Sequence, residues 1–401
     1  MAVQQTLRPY VTAGIAIVGS GLIAATPVAT PLASVPTVRD VALTAGGGLP
    51  DLVAPWTEVF NEASRNSTIL TQNFLLAPWA GFQQMLANQS QFWQQILDDP
   101  SKIPDVMQQM QSNLDSVLTG YTLQNASGSF GLNGLEGTIG TVGVHTLSGT
   151  DAATAPISFG HDLLFGLLPQ FLPADMAPIA TPIVNFLASP LSAIIIGQLG
   201  PSIAPWVAMM NSIQDGDNFN EIMASWMGGY LNGATLNLDF LLPLIAQTGL
   251  LPEGNEIDHL SFTFGGLLTP GDVAVGPYQV TDQAGNLVEV PAVGGSIFNS
   301  LGISLTTSAL GTPLTIAIDG HGIGPIAAQE AWSQTVAALL GSGWTGKDPI
   351  EVSPPWPGIN FPTVPDDFFD DGGTGSGAAS DALAGMDLSD IVNALLGGVD
   401  A

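Results

Sequence analysis

One uncharged stretch most constrains how this chain can fold. Residues 176–214 contain no Asp, Glu, Lys or Arg, and five prolines interrupt them: Pro178, Pro182, Pro190, Pro201 and Pro205. A helix that crosses a membrane needs about 20 consecutive apolar residues, and no proline-free window here is that long. Each proline would also leave backbone groups unpaired in lipid. The stretch therefore predicts short helices packed in a core, in preference to the alternative of a hairpin inserted into a membrane.

The charge balance excludes several function classes. The 401 residues include 34 Asp and Glu against 5 Lys and Arg, for a net charge of −29, yet only 10% of residues are charged. Five bases cannot neutralise a nucleic-acid backbone, so we expect no nucleic-acid partner. The absence of cysteine excludes disulfides, thiol catalysis and Cys-based zinc sites. A hydrophobic content of 46% argues against disorder along the whole chain.

The first 30 residues have the layout of a secretory signal peptide. Their one charge is Arg8, and the apolar run Val11–Ala25 precedes small residues and prolines. As a helix, this run would be roughly 22 Å long, short of the ~30 Å hydrocarbon core. Cleavage after Ala25 or after Ala29 fits equally, and removal of Arg8 makes the mature net charge −30. The alternatives are a buried N-terminal helix and a retained membrane anchor.

Helical periodicity dominates the next part of the chain. Residues 31–50 are rich in Pro and Gly and predict a linker. Residues 51–122 predict three amphipathic helices: one from a cap at Asp51 to about Leu76, one restarting at Pro78, and one opening at Asp99-Pro100. Because only short breaks separate them, we expect an antiparallel helical bundle.

The remaining chain divides into three segments. Residues 123–255 predict a Gly/Pro-rich apolar helical region, with a short strand near 141–146 and a helix at 219–231. Residues 256–345 predict short strands, a hairpin turning at 282–286, and a helix over Pro325–Leu340. Residues 346–401 are Pro-rich and acidic and predict a solvated tail, with one possible short helix at 387–396. The predicted strands are Leu260–Leu268, Val273–Val280, Leu287–Val290, Ile303–Thr307 and Leu314–Ile318. The fold class is thus mainly α with a smaller β-containing segment.

The sequence offers no recognisable catalytic signature. There is no Gly-x-Ser-x-Gly elbow and no His-Glu-x-x-His helix. Three of the four histidines lie beside an acid in sequence, in His161-Asp162, Asp258-His259 and Asp319-Gly320-His321, whereas His145 does not. Such pairs are far more often loop hydrogen bonds than general bases. We therefore predict no enzyme and no catalytic, cofactor-binding or metal residue; a hydrolase would need a serine hydroxyl within reach of a histidine in a pocket.

Three further motifs resemble sites but fail in detail. The Gly341–Asp348 segment looks like a phosphate-binding loop, but Asp348 replaces the required Ser or Thr and the segment follows a helix. The Asp215–Glu221 segment has a phenylalanine at the fifth ligand position of a calcium loop. The acidic pairs of the tail favour solvation over cation binding. Aromatic residues at helical spacing predict core packing: Trp56, Phe60, Trp79, Phe82, Phe92 and Trp93.

Three strings of sequence together resemble a known family. They are Thr6–Gly14, Leu231–Leu244 with its Leu-Asn-Gly-Ala-Thr-Leu-Asn-Leu-Asp core, and Leu260–Gly271, which reads Leu-Ser-Phe-Thr-Phe-Gly-Gly-Leu-Leu-Thr-Pro-Gly. They are similar to the GjpA-type outer-membrane porin family of mycobacteria and related mycolic-acid-bearing actinobacteria. The resemblance runs through most of the chain and assigns no catalytic or binding residue.

The resemblance implies an exported protein of the cell envelope or outer membrane. Its expected function is that of a porin, a passive channel for ions or small hydrophilic solutes, formed by a homo-oligomer. Because Asp and Glu far outnumber Lys and Arg, a pore lined by this chain would prefer cations. The physics of the sequence favours an alternative, a secreted or cell-wall structural or interaction protein, such as a surface antigen, without channel activity.

Overall fold

The computed structural model describes residues 52–131, 134–151, 158–171, 176–247, 255–281, 287–307 and 314–341. The predicted signal peptide, the linker, the Asp51 cap and the tail therefore lie outside the described residues. So does the Gly341–Asp348 motif beyond its first residue.

Ten α-helices occupy most of the described chain. They are α1 (Ala54–Leu76), α2 (Ala80–Asp98), α3 (Ile103–Thr122), α4 (Gly137–Thr146), α5 (His161–Phe171), α6 (Ala177–Leu187), α7 (Pro190–Asp215), α8 (Phe219–Asn232), α9 (Leu242–Gln247) and α10 (Pro325–Leu339). Short 3₁₀ turns at Pro100–Lys102 and Asp239–Leu241 precede α3 and α9. The predicted helices near 51–76, 219–231 and 325–340 are confirmed within a few residues.

Local sequence explains where several helices begin and end. The Asp99 carboxylate accepts a hydrogen bond from the Ser101 backbone N–H at 3.0 Å, which opens the turn leading into α3, as predicted. Asn218 and Glu221 form a reciprocal capping box at the start of α8. Gly216 ends α7 with a left-handed backbone, φ 82°, which glycine adopts without strain.

The strands of the described residues form one antiparallel sheet of four strands and two separate hairpins. The larger sheet has the order β3 (Ala234–Asn237), β4 (Asn255–Phe264), β7 (Leu301–Thr307) and β8 (Leu314–Ile318). One hairpin pairs β1 (Ser129–Gly131) with β2 (Gly134–Glu136), and the other pairs β5 (Tyr278–Thr281) with β6 (Leu287–Val290). Thr281 lies opposite Leu287, which confirms the predicted hairpin around 282–286.

Helix α10 organises the packing although it comes last in the described chain. It contacts α1, α2, α3, α4 and α7, so the amphipathic helices of the first third pack largely against later elements. Among the described residues, two larger clusters form most of the core, beside a small cluster of Ala77, Ala80 and Ala337. The first joins Leu70, Ala193, Ile196, Val293, Ile323, Ala327 and Ala328; the second joins Leu123, Phe130, Val142, Leu147, Phe165, Ala188 and Phe298. The mainly α fold with a smaller β part is confirmed.

The predicted strand near 141–146 is wrong, because this segment is the helix α4. Threonine hydroxyls bond back along it: Thr141 Oγ1 donates to the Gly137 carbonyl at 3.0 Å, and Thr146 Oγ1 donates to the Val142 carbonyl at 3.2 Å. Such bonds let β-branched residues sit in a helix. Gly143 lets α4 pack directly on the Phe130 ring.

The prediction that prolines cut residues 176–214 into short helices agrees with α6 but is wrong from Pro190 onward. Helix α7 continues for 26 residues through Pro201 and Pro205. An interior proline costs about 3 kcal/mol, because its ring crowds the carbonyl four residues earlier. Here that earlier residue is Gly197 for Pro201, and the buried side of α7 packs against α8, α10, β3 and β4. Tertiary packing therefore offsets the local cost.

Glycines bring three backbones into contact at the end of β4. A Cβ on Gly200 of α7 would overlap the Gly265 carbonyl oxygen, and a Cβ on Gly265 would overlap the Ile323 carbonyl. Helix α7, the end of β4 and the segment before α10 thus meet with no side chain between them. We call this contact the glycine junction.

Candidate functional site

Helix α7 is apolar on two opposite sides, and only one of them is covered. The covered side carries Ala193, Ile196, Gly200, Ala204 and Val207, all buried against neighbouring elements. The Ser189 side chain caps the helix by accepting from the Ser192 N–H at 3.2 Å. No charged residue interrupts either side before Asp215. A helix that is hydrophobic all round is normally buried all round.

The uncovered side carries an apolar row along the helix, here called the outer stripe. Its apolar members are Ile195, Leu199, Trp206, Ile213 and the partly buried Met209, and the small polar Ser202 lies between Leu199 and Trp206. Leu199, Trp206 and Ile213 are 50%, 57% and 55% exposed, and the adjacent Met210 is 50% exposed. Exposed apolar patches of this kind mark contacts with other proteins or with membranes. The 4-3-4-3-4 spacing was visible in the sequence, but the interior prolines hid the continuous helix.

Within the described residues, α7 is the one helix whose length and composition would allow it to cross a membrane. Its most apolar window has a mean hydropathy of 1.4, and 39% of that window is buried inside the fold. The neighbouring helix α6 is also apolar but shorter. Length and hydropathy alone do not distinguish a spanning helix from a core helix of a soluble fold.

An acidic cleft of about 300 Å³ opens near the C-terminal end of α7. Three carboxylates line it, from Glu62 of α1, Asp215 and Asp217, and we call these the cleft carboxylates. Ser212 Oγ donates to Asp217 Oδ2 at 2.5 Å. No Lys or Arg of the described residues lines the cleft, so its potential attracts cations. Nowhere in the described part do three or more His, Asp or Glu group closely enough to hold a metal ion.

A buried serine–histidine pair has the distances of a catalytic dyad but the partners of a structural one. Ser148 Oγ lies 2.8 Å from His161 Nδ1, and His161 Nε2 lies 2.7 Å from the Leu301 carbonyl oxygen. A carbonyl can only accept, so Nε2 carries the proton and Nδ1 accepts from Ser148. The His161 backbone N–H also donates to Ser148 Oγ at 3.0 Å.

Burial separates this pair from solvent. Ser148 and His161 are 2% and 0% exposed, and neither lines the acidic cleft. Burial lowers the pKa of His161 to about 4, despite the opposing effect of the bond to Leu301. The imidazole therefore stays neutral and joins the segments around 148, 161 and 301.

The structure gives the other histidines different partners from those suggested by sequence. His259 lies 2.9 Å from Asp239 rather than pairing with its neighbour Asp258, and this surface contact lies beside β4. The pKa of Asp239 is lowered, chiefly by the hydrogen bond from the Leu260 N–H and also by His259. His321 Nε2 lies 3.5 Å from Asp272.

His145 is fully buried in α4, and burial lowers its pKa to about 3. Neither this residue nor the other three histidines lies at the acidic cleft. The four histidines are thus separated into one buried link (His161), two surface contacts (His259 and His321) and one buried helix residue (His145).

Two other sequence motifs also have structural roles. In the segment resembling a calcium loop, Glu221 caps α8 and Asp217 accepts from Ser212. The aromatic residues divide: Phe92 is 4% exposed in the core, whereas Phe60 and Trp93 are exposed. Trp56 donates from Nε1 to Asn220 at 3.0 Å, linking α1 to α8.

Comparison with known proteins adds no relative to this picture. A scan against protein-family models and searches of curated proteins and of solved structures found no match to the chain. Function is therefore inferred from the outer stripe, the acidic cleft and the charge balance, together with the resemblance of the sequence strings.

Proposed function

We propose that the protein is an exported component of the cell envelope that assembles into an oligomeric, cation-preferring channel for ions or small hydrophilic solutes. This is the function of the outer-membrane porin family that its sequence strings resemble. The observation that carries the proposal is the outer stripe of α7, a long row of apolar side chains in a stretch without a single charge. Monomeric soluble proteins rarely expose a contiguous apolar row of this length, whereas an assembly in or beside lipid can cover it.

The distribution of charge supports the cation preference. Within the described residues, Arg65 and Lys102 are the sole Lys and Arg, and neither lies on α7 or α8. The cleft carboxylates place negative charge at the C-terminal end of α7. A water-filled path bordered by such a surface would concentrate cations and repel anions.

Single-channel recording tests the proposal. The mature chain, beginning after Ala25 or after Ala29, would be reconstituted into a planar bilayer across a salt gradient. We expect discrete conductance steps and a reversal potential displaced toward that of the cation. Heat-denatured protein at equal concentration is the control. Silence at high protein concentration, with reconstitution verified by flotation of the proteoliposomes, would overturn the channel function.

A second candidate is a secreted or cell-wall interaction protein without channel activity. It is favoured by the covered side of α7, which packs against α8, α10 and the four-stranded sheet. Separating the helix from these elements would expose the first core cluster to water. This candidate predicts a monomer or small oligomer that leaves the envelope without detergent. Fractionation of the native envelope, with mapping of the mature N-terminus, separates the two candidates.

A further inference from the structure

The outer stripe has the spacing of a helix–helix seam. Its steps of four, three, four, three and four residues are those of the a and d positions of a coiled coil. From Ile195 to Ile213 the row is about 27 Å long at 1.5 Å per residue. The spacing is the same when counted from either end, with position 204 at the centre. Such a row is complementary to a copy of itself running in the opposite direction.

Side-chain size follows the same symmetry. In an antiparallel pair centred at 204, Ser202 would face Trp206 of the second copy, so the smallest member of the stripe meets the largest. Leu199 would face Met209, and Ile195 would face Ile213. Alternation of small and large residues across a seam is how facing helices fill space.

Charge indicates that a second copy of the chain, and not a lipid surface, covers the outer stripe. Helices that lie on membranes carry Lys and Arg beside their apolar face, whereas α7 and α8 have none. Anionic headgroups would also repel a chain with net charge −29. In an antiparallel pair, the two Asp215 carboxylates would lie about 33 Å apart, far beyond the ~8 Å screening length at physiological salt.

We infer that two copies of this chain pair through the outer stripe, with α7 packed antiparallel on α7 about a two-fold axis between Ser202 and Trp206. The pairing would supply one subunit contact of the proposed oligomer, and it rests on that part of the proposed function alone. The footprint of one helix, about 27 Å long and about 10 Å wide, has a smaller area than the ~800 Å² per partner of a standard interface. The dimer should therefore be weak and reversible.

Sedimentation velocity of the full mature chain over a concentration series tests the pairing. Leu199→Glu should weaken dimerisation at least tenfold, because it places a carboxylate in the seam of each copy. Leu118→Glu is the matched control, since Leu118 of α3 is also 50% exposed but lies outside the stripe. Circular dichroism and thermal melting establish that both variants are folded. Equal dimerisation of the two variants, or a monomeric wild type throughout, would overturn the inference.

Cross-linking tests the geometry, because the chain has no cysteine of its own. In the Ser202→Cys variant, a bismaleimide spanning about 10 Å should join two copies, given the ~6 Å axial offset and the usual interaxial distance of about 8–10 Å. Ser112→Cys, on the exposed surface of α3, should remain uncross-linked. Equal cross-linking of both variants would contradict an α7 seam.

The failures of the two proposals are distinguishable. If Leu199→Glu weakens dimerisation but the wild type shows no conductance, the channel is refuted and the pairing is retained. If Leu199→Glu leaves the conductance intact, and if the Ser112→Cys and Ser202→Cys variants cross-link equally, the pairing is refuted and the channel is retained. Flotation of monomeric protein with phosphatidylcholine or phosphatidylglycerol vesicles, abolished by Leu199→Glu, would identify lipid as the occupant and overturn the inference.

Discussion

Acidification should destabilise the fold through its two buried histidines. His145 and His161 have folded-state pKa values of about 3 and about 4, against 6.5 in an unfolded chain. Below pH 6.5 the unfolded chain therefore binds protons that the folded chain does not bind, and the free energy of unfolding falls as the pH falls. From pH 7.5 to pH 5, each histidine should remove about 2 kcal/mol from the free energy of unfolding, at about 1.4 kcal/mol per proton and pH unit.

Glu330 should oppose this loss. Its Oε2 is buried without a hydrogen-bond partner, and burial raises the pKa of the carboxyl well above 4.5. Its folded form thus holds a proton that the unfolded form releases, so its contribution to stability is lost as the pH rises. The Glu330→Gln variant removes this opposing term. In that background we expect the full loss of about 4 kcal/mol from pH 7.5 to pH 5, and a smaller loss in the wild type.

Urea unfolding at several pH values measures the effect. Adding His161→Gln to the Glu330→Gln background should halve the pH-dependent loss to about 2 kcal/mol, whatever its effect on stability at pH 7.5. A free energy of unfolding that is flat from pH 7.5 to pH 5 in the Glu330→Gln variant would refute the assignment of neutral, buried imidazoles. So would an unchanged slope after His161→Gln.

Further perturbations test other parts of the structure. At pH 7.5, Glu330→Gln alone should raise the melting temperature, because the amide is already neutral whereas the buried carboxyl must take up a proton on folding. Gly200→Ala should destabilise the protein by about 1–3 kcal/mol, because the added methyl group overlaps backbone at the glycine junction. Gly276→Ala is the control and should have little effect, because the space around the added methyl group is open. Equal melting temperatures of the two variants would contradict the junction. Phe298→Ala should cost about 3–5 kcal/mol in urea unfolding, since its ring packs in the second core cluster. If the protein forms the proposed channel, replacing the three cleft carboxylates by amides should move its reversal potential toward zero, and the same change at the exposed Asp98, Asp105 and Asp115 should move it less.

The sequence predicted elements whose signals are local. Apolar periodicity and caps located α1, α8 and α10 to within a few residues, and the alternation around 282–286 located the β5–β6 hairpin. These features depend on residues close together in the chain. The fold class followed from the order of such elements.

The errors arose where distant packing outweighs local preference. Pro201 and Pro205 are strong breakers, yet α7 passes through both because its buried side is held by α8, α10 and the sheet. Thr141 and Thr146 favour strands, but their hydroxyls bond within α4. The strand β3 at Ala234–Asn237 was missed altogether, because its pairing partner, β4, lies beyond the turn and helix that follow it.

The candidate site was predictable only in part. The charge-free stretch drew attention to 176–214, but the outer stripe becomes visible only once α7 is one continuous helix. The acidic cleft brings Glu62 of α1 together with Asp215 and Asp217 at the end of α7. These residues are far apart in the sequence, so no local spacing predicts that they meet. The acid next to a histidine in the sequence also did not predict its partner, because His259 contacts Asp239 and not its neighbour Asp258.

The glycine junction limits how this molecule can change shape. Main chain rests on main chain there, at Gly200, Gly265 and Ile323, so no flexible side chain can absorb a sliding movement of the helix. Extraction of α7 into a bilayer would have to pull apart a contact near the middle of that helix. Any assembly should accordingly form by the docking of intact protomers, with α7 kept in place against Gly265 and the sheet.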